Sequence, residues 1–319
     1  MRDLNLWKFI RDRVSRQIPL ALLVVLESEG SSPGRQGFKM AVTADELCGS
    51  IGGGMMEYKF VELAREKLRV SEQEPLIKRQ IHSKSAKLNQ SGMICSGEQT
   101  IFMYYFDVEW LAVVDELIGS LERNENGTLT ITADSLLFTP QVPEFNFYYQ
   151  QSSEADFIFR EKTGYKNYLH IVGGGHCSYA LSMLMKDLDF HITIYDDRKN
   201  LNTFSENHFA HKKVQLEDYS EMKGRISSGK NVYVVIMTFG HRTDNVAFQA
   251  VVENDYKYLG VLGSKTKVEQ MRREWTEAGI SETKINQVFS PIGISIKSQT
   301  PPEIAISIAA EIIAVKNAD

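Results

Sequence analysis

Along the chain, apolar residues recur in two rhythms. Leu6, Ile10 and Val14 repeat every four residues, the spacing of one helix face, with Asp3 placed to cap that helix. The unbroken apolar run Leu20–Leu26 predicts a buried strand, Phe38–Thr43 a second strand and Met56–Leu68 a helix. Two glycine-rich turns separate them, Glu29-Gly30-Ser31-Ser32-Pro33-Gly34 and Cys48-Gly49-Ser50-Ile51-Gly52-Gly53-Gly54. Residues 71–90 are polar and read as a surface connection, after which Thr100–Phe106 is aromatic and β-prone. An amphipathic helix is expected over 108–122. From 125 to 166 short β-prone runs alternate with polar, proline-containing stretches, the pattern of an antiparallel edge or an interdomain connection.

From residue 167 the rhythm changes to strand–helix alternation. Strands are expected at Tyr168–Val172, His191–Tyr195, Val232–Met237 and Tyr258–Leu262, with helices at Cys177–Leu188 and Lys265–Ala278. Thr300-Pro301-Pro302-Glu303 is a capping box with proline at the first helical position, so a helix starts there. Alternating βα units give a parallel sheet covered on both faces. The expected fold class is therefore α/β: an α+β domain over 1–165, then a Rossmann-like, doubly wound parallel-sheet domain over 166–319.

Composition narrows the function. The chain has 319 residues, 36 Lys+Arg against 41 Asp+Glu, and a net charge of −5. A pI near 5.9 argues against a duplex nucleic-acid binder, which clusters a basic surplus. Three cysteines, Cys48, Cys95 and Cys177, with no CxxC pair, exclude a disulfide framework and a cysteine-rich zinc module. The histidines His170, His191, His208 and His211 lack metal-ligand spacing, so no metal site is expected. The run Ile18–Leu26 follows three arginines but ends in Glu27-Ser28-Glu29, and reads as a strand and not a signal peptide. No stretch approaches the ~18 apolar residues of a membrane span, and the expected location is cytoplasmic.

The sharpest motif is Ile171-Val172-Gly173-Gly174-Gly175-His176-Cys177-Ser178, which follows a strand, opens a helix and has an acid, Asp196, about 20 residues on. Gly173 would allow the tight turn, and Gly175 would let backbone approach a pyrophosphate at the helix N-terminus. Ser178 stands where Gly or Ala is usual. Asp196 would accept from an adenosine ribose and repel a 2′-phosphate, favouring NAD, while Arg198 and Lys199 blunt that preference.

Other strand ends face the same crevice. Thr238-Phe239-Gly240-His241 with Asp244 offers a proton donor and an orienting acid. Gly263-Ser264-Lys265 offers N–H groups, a hydroxyl and an ammonium to an anion. In the amino-terminal half, Ser31, Ser32, Gly52, Gly53 and Gly54 lie in loops that could present N–H groups to an anion, or simply connect strands. Cys95 is the thiol best placed for chemistry because glycines flank its segment, whereas Cys177 sits where a helix dipole would lower its pKa.

Taken together, Glu29–Pro33, Gly49–Gly54 with Glu57, Gly92-Met-Ile-Cys95, Gly173–His176 with Asp196-Asp197-Arg198, Gly263-Ser264, Pro291-Ile-Gly293 and Thr300–Glu311 resemble the XdhC/CoxI family, the xanthine dehydrogenase accessory factors. The resemblance implies an amino-terminal XdhC/CoxI domain and a Rossmann domain. It also implies a chaperone that binds molybdenum cofactor and hands it to a molybdenum hydroxylase client. Cofactor contacts are expected at Gly173, Gly174, Gly175, His176, Asp196 and Asp197; no nucleic-acid or membrane partner is expected, and a homodimer is admitted. Two positions depart from the family pattern. Met55 stands where a cysteine commonly follows the triple glycine, and Phe239 replaces the first histidine of Thr-His-x-His. A thioether is a weak, neutral ligand and does not replace a thiolate.

Two other function classes fit the same residues. One is an NAD(H)-dependent oxidoreductase with His241 as proton donor and Asp244 orienting it. The other is a nucleotide-sensing or S-adenosylmethionine-binding module built on the acidic end of the second strand.

Overall fold

The computed structural model describes residues 2–70, 74–81 and 97–318. The chain divides into two compact units, Met1–Gly164 and Tyr165–Asp319.

The first unit is built on β1 (Leu20–Gly30), whose apolar run is continuous because both faces are covered. Leu20, Leu22, Val24 and Leu26 point to one core, and Ala21, Leu23 and Val25 to another. Helix α1 (Arg2–Ser15) packs in the first core. Strands β2 (Lys39–Val42) and β3 (Leu47–Gly49) follow, and α2 (Gly54–Arg69) covers the opposite face. Strands β4 (Leu76–Ile81) and β5 (Gly97–Phe106) complete an antiparallel sheet of order β3-β2-β1-β5-β4. Strand β4 falls in the stretch expected to be a surface connection. It is polar because it is the edge strand, pairing with β5 on one side only.

After a short 3₁₀ turn comes α3 (Leu111–Glu122), and residues 125–166 then fold as a sheet of their own. It comprises β6 (Thr128–Ile131), β7 (Leu136–Thr139), β8 (Phe147–Gln151) and β9 (Phe157–Lys162), in the order β7-β6-β9-β8. Its inward residues Leu129, Ile131, Phe157 and Phe159 close the first core. A buried ion pair, the Lys39 ammonium on the Glu161 carboxylate, ties β2 to β9. Lys39 also donates to the Gly37 carbonyl at 2.9 Å.

In the second unit, β10 (Asn167–Val172), α4 (His176–Lys186), β11 (Phe190–Asp196), the short α5 (Asn202–Ser205) and β12 (Lys212–Gln215) form one half. The other half is β13 (Gly229–Ile236), α6 (His241–Val251), β14 (Tyr256–Val261), α7 (Lys265–Glu277), the short α8 (Glu282–Asn286) and α9 (Pro301–Asn317). All strand pairs are parallel, in the order β12-β11-β10-β13-β14. Helices α4 and α9 pack on one face, α6 and α7 on the other. The Thr300 capping box opens α9 as its sequence predicts. The carboxylate of Glu311 on that helix accepts from Gly293 N–H at 2.8 Å and from the Tyr258 hydroxyl at 2.5 Å, docking the loop before α9 onto the sheet. No helix among the described residues is long and apolar enough to cross a membrane.

Candidate functional site

The strand order reverses at β10, since β11 lies on one side of it and β13 on the other. In an open parallel sheet a crevice opens there, beyond the carboxyl ends of the strands. The chain leaving β10 turns at Gly173, whose φ of 110° lies in the left-handed region. A Cβ at Gly173 would sit 2.3 Å from the Met237 carbonyl oxygen, so only glycine lets the turn lie against the end of β13. Gly174 is held from both sides. Its N–H donates to Asp196 Oδ2 at 2.6 Å, and its carbonyl accepts from the Thr203 hydroxyl at 2.7 Å. Gly175 caps α4, and a Cβ built there meets no atom within 4 Å. That is the open cradle a phosphate needs at a helix N-terminus. His176 is the first residue of α4. Ser178, in the third glycine position, is fully buried, so its small side chain fits the helix–strand contact.

Asp196 does not face the crevice as a ribose acceptor. It is fully buried, and both its oxygens are occupied. Oδ1 accepts from the Arg198 backbone N–H and Nε, each at 2.9 Å, while Oδ2 accepts from Arg198 Nη2 at 2.7 Å and from Gly174. Burial alone would raise this carboxyl, but the hydrogen bonds from Arg198 and Gly174 outweigh it and hold its pKa below the usual carboxylate value. The acid thus braces the glycine turn. Beside it, Asp197 Oδ1 is buried with no hydrogen-bond partner.

At the end of β13 the expected His241–Asp244 pair is not formed. Asp244 is fully buried; its Oδ1 accepts from Thr238 N–H at 2.8 Å and the Thr238 hydroxyl at 2.6 Å, and its Oδ2 binds the Lys267 ammonium. His241 Nε2 instead lies 3.2 Å from Glu274 Oε2 on α7. The reason is that Thr238 and Lys267 already occupy both oxygens of Asp244. His241 and Asp244 share the first turn of α6, and the buried acid finds its countercharge on the neighbouring helix. Gly263 and Ser264 precede α7, and the Ser264 hydroxyl caps it, accepting from Lys267 N–H at 3.3 Å. Lys265 is exposed; Lys267, which also donates to the Leu262 carbonyl at 3.1 Å, is the ammonium at the strand ends. Sequence reasoning missed Lys267 and Glu274. The available signal was an acid in the first turn of a helix beside a buried strand, which demands a nearby cation.

The amino-terminal loops are closed by the chain itself. Glu57 Oε2 accepts from the Ser50 hydroxyl at 2.7 Å and from the Ile51 and Gly53 N–H groups at 2.9 Å each. Gly52 N–H donates to Ser50 Oγ at 3.1 Å, and Gly54 opens α2. Ser32 is buried against Gln99 Oε1 at 2.6 Å, whereas Ser31 is exposed. Met55 lies exposed on the first turn of α2.

Burial pushes the Cys48 and Cys177 thiols up, so the position of Cys177 at a helix start does not make it a thiolate. Cys95, with Gly92, lies outside the described residues. Among the described residues no group of three or more His, Cys, Asp and Glu side chains could hold a metal ion. Burial drives His170 and His211 down to about 4, with the nearby His191 adding to the effect. His170 Nδ1 lies 3.0 Å from the Tyr195 hydroxyl, and His211 Nδ1 accepts from Ile192 N–H at 2.9 Å.

Known proteins place this geometry. Residues 169–312 match the family model described as the XdhC Rossmann domain, and residues 14–79 match that of the XdhC and CoxI family. An Escherichia coli K12 relative, the uncharacterized protein YqeB, is 26% identical over 305 residues. That alignment covers 94% of this chain but only 44% of YqeB, so the chain spans less than half of that relative's length. A Bacillus halodurans crystal structure described as a xanthine dehydrogenase superposes with a TM-score of 0.71 at 21% identity. The match covers 99% of this chain and 96% of the other, and shows a shared fold. With the two family models matching its two units in order, the chain belongs to the XdhC and CoxI family.

Proposed function

We propose that this chain is a cytoplasmic accessory factor for maturation of a molybdenum hydroxylase of the xanthine dehydrogenase type, and that its Rossmann unit binds an adenine dinucleotide. Membership of the family in both units supports the accessory role. The open cradle at Gly175, beside a turn that only glycine permits at 173, is the observation that carries nucleotide binding. A bound dinucleotide would place its pyrophosphate at the α4 N-terminus.

Molybdenum cofactor enters this reading as cargo. Met55 and the thiols raised by burial offer it no thiolate, and Glu57 already takes the Ile51 and Gly53 N–H groups of the second glycine loop. Cargo contact through sulfur therefore falls to Cys95. The test is to co-express the chain with a candidate hydroxylase and measure co-purification, molybdopterin fluorescence and client activity. A functional accessory factor raises client activity, and Cys95→Ser lowers the bound cofactor. No co-purification and no molybdopterin would sink the proposal.

The His241–Glu274 contact favours one second reading, an NAD(H)-dependent oxidoreductase with His241 as proton donor and Glu274 as its orienting acid. A substrate-dependent change in nicotinamide absorbance that His241→Ala abolishes would establish it.

A further inference from the structure

We propose that the crevice selects a dinucleotide carrying a 2′-phosphate on its adenosine ribose, the NADP class, and that Arg198 is the selecting residue. The inference rests on the reading of the crevice as a nucleotide site and deepens it. The acid at the end of β11 would normally decide for the unphosphorylated ribose, because a free carboxylate accepts from the 2′-hydroxyl. Here that carboxylate is withdrawn. Asp196 is 0% exposed and receives four hydrogen bonds, so it has neither access nor lone pairs for a sugar hydroxyl.

What stands in its place is the guanidinium it holds. The Arg198 side chain is 34% exposed. Nε and Nη2 are spent on Asp196, and Nη1 makes no hydrogen bond among the described residues, so donors remain for a phosphate. Because Asp196 grips the planar fork at two points, the cation is positioned before any ligand arrives.

Across the end of β10 lies Phe239, 71% exposed, with its ring centroid 5.7 Å from Arg198 Cζ. The two side chains come from the segments that follow β11 and β13, the strands on either side of β10, and they meet each other there. An exposed ring against a guanidinium at this place supplies an apolar wall for adenine and a cation for the phosphate beside it. Lys199 adds a second positive charge, although Glu217 lies 3.3 Å from it. The opposing acid is the half-buried Asp197, whose Oδ1 is buried and whose charge acts on Arg198 against the phosphate.

The experiment is calorimetric titration of the full chain with NADP⁺, NAD⁺, 2′,5′-ADP and 5′-AMP. NADP⁺ should bind about tenfold or more tighter than NAD⁺, and 2′,5′-ADP tighter than 5′-AMP by a similar factor, as a phosphate on a positioned guanidinium implies. Raised salt should erode that difference. Arg198→Ala should bring NADP⁺ down to the affinity of NAD⁺, and Arg198→Lys should restore part of the gap. If Arg198→Ala fails to fold, the four-ligand comparison on the wild-type chain decides alone. Equal or tighter binding of NAD⁺ would overturn the selection by Arg198 and leave the nucleotide site standing. Silence from all four ligands would remove the nucleotide site itself, and this inference with it.

Discussion

The chain holds two glycine-rich loops that each open a helix, and they are not the same kind of object. In the amino-terminal unit the loop before α2 is closed from within, because Glu57 reaches back from the helix and takes the Ile51 and Gly53 N–H groups. In the carboxy-terminal unit the carboxylate comes from a neighbouring strand and takes only the Gly174 N–H, leaving Gly175 facing open space. One loop has an internal anion where a ligand would go, and the other keeps that place clear. A run of glycines before a helix therefore states only that backbone N–H groups converge. Where the nearest carboxylate comes from decides whether they remain available.

The largest expected effect separates the loops by packing. Gly173→Ala puts a Cβ against the Met237 carbonyl at a positive φ, and should cost at least about 3 kcal/mol in urea unfolding while abolishing nucleotide binding. Full stability in that variant would break the account of the turn. Next comes the brace. Asp196→Asn leaves Arg198 without its countercharge and should cost about 3 kcal/mol. Glu57→Ala loses hydrogen bonds on a less buried group and should cost only about 1–2 kcal/mol. Equal losses in the two would mean that both loops are braced alike.

Acid should sharpen the comparison between the units themselves. The folded protein keeps His170 and His211 neutral down to about 4, while the unfolded chain protonates such rings near 6.5, so protons favour unfolding. The stability they hold is complete above about pH 6.5 and is lost progressively as pH falls toward 4. Asp196, held below its ordinary value, keeps its contribution above about 3.8 and loses it at still lower pH. Hydrogen exchange read peptide by peptide should therefore show β10–β12 losing protection before β1 and β2 as the solution is acidified. The reverse order would contradict the assignment.

The smallest effect is the finest test. Neither Gly53 nor Gly175 has an atom within 4 Å of a built Cβ, yet Gly53 has φ 75° and Gly175 φ −73°. Gly53→Ala should cost about 1 kcal/mol from backbone strain alone, and Gly175→Ala almost nothing. Only the second should weaken nucleotide binding, measured by the same titrations.

Local chemistry made much of the architecture legible. The four-residue rhythm of α1, the capping box of α9 and the apolar runs ending in glycine at β10 and β14 are decided by neighbours in sequence. The switch from meandering strands to βα alternation near 165 is local in the same sense. Strand β4 escaped because an edge strand buries little and so leaves no hydrophobic rhythm to read. The sheet over 125–166 was visible as short β-prone runs, but not as a sheet sharing a core with α1 and α3.

The partners of the charged side chains were a different matter. Sequence placed Asp196 at one strand end and His241 with Asp244 just past another; Asp196 closes β11, and the other two lie in the first turn of α6, after β13. Whether each faces a ligand or another residue depended on where side chains turned: Arg198, two residues on, back to Asp196, and from a distant helix Lys267 to Asp244 and Glu274 to His241. A carboxylate taken out of water must find a donor or a cation wherever packing supplies one. Sequence by itself therefore determined most of the elements, the turns that demand glycine and the family. The tertiary structure decided which of those polar groups are spent within the protein and which remain for a ligand.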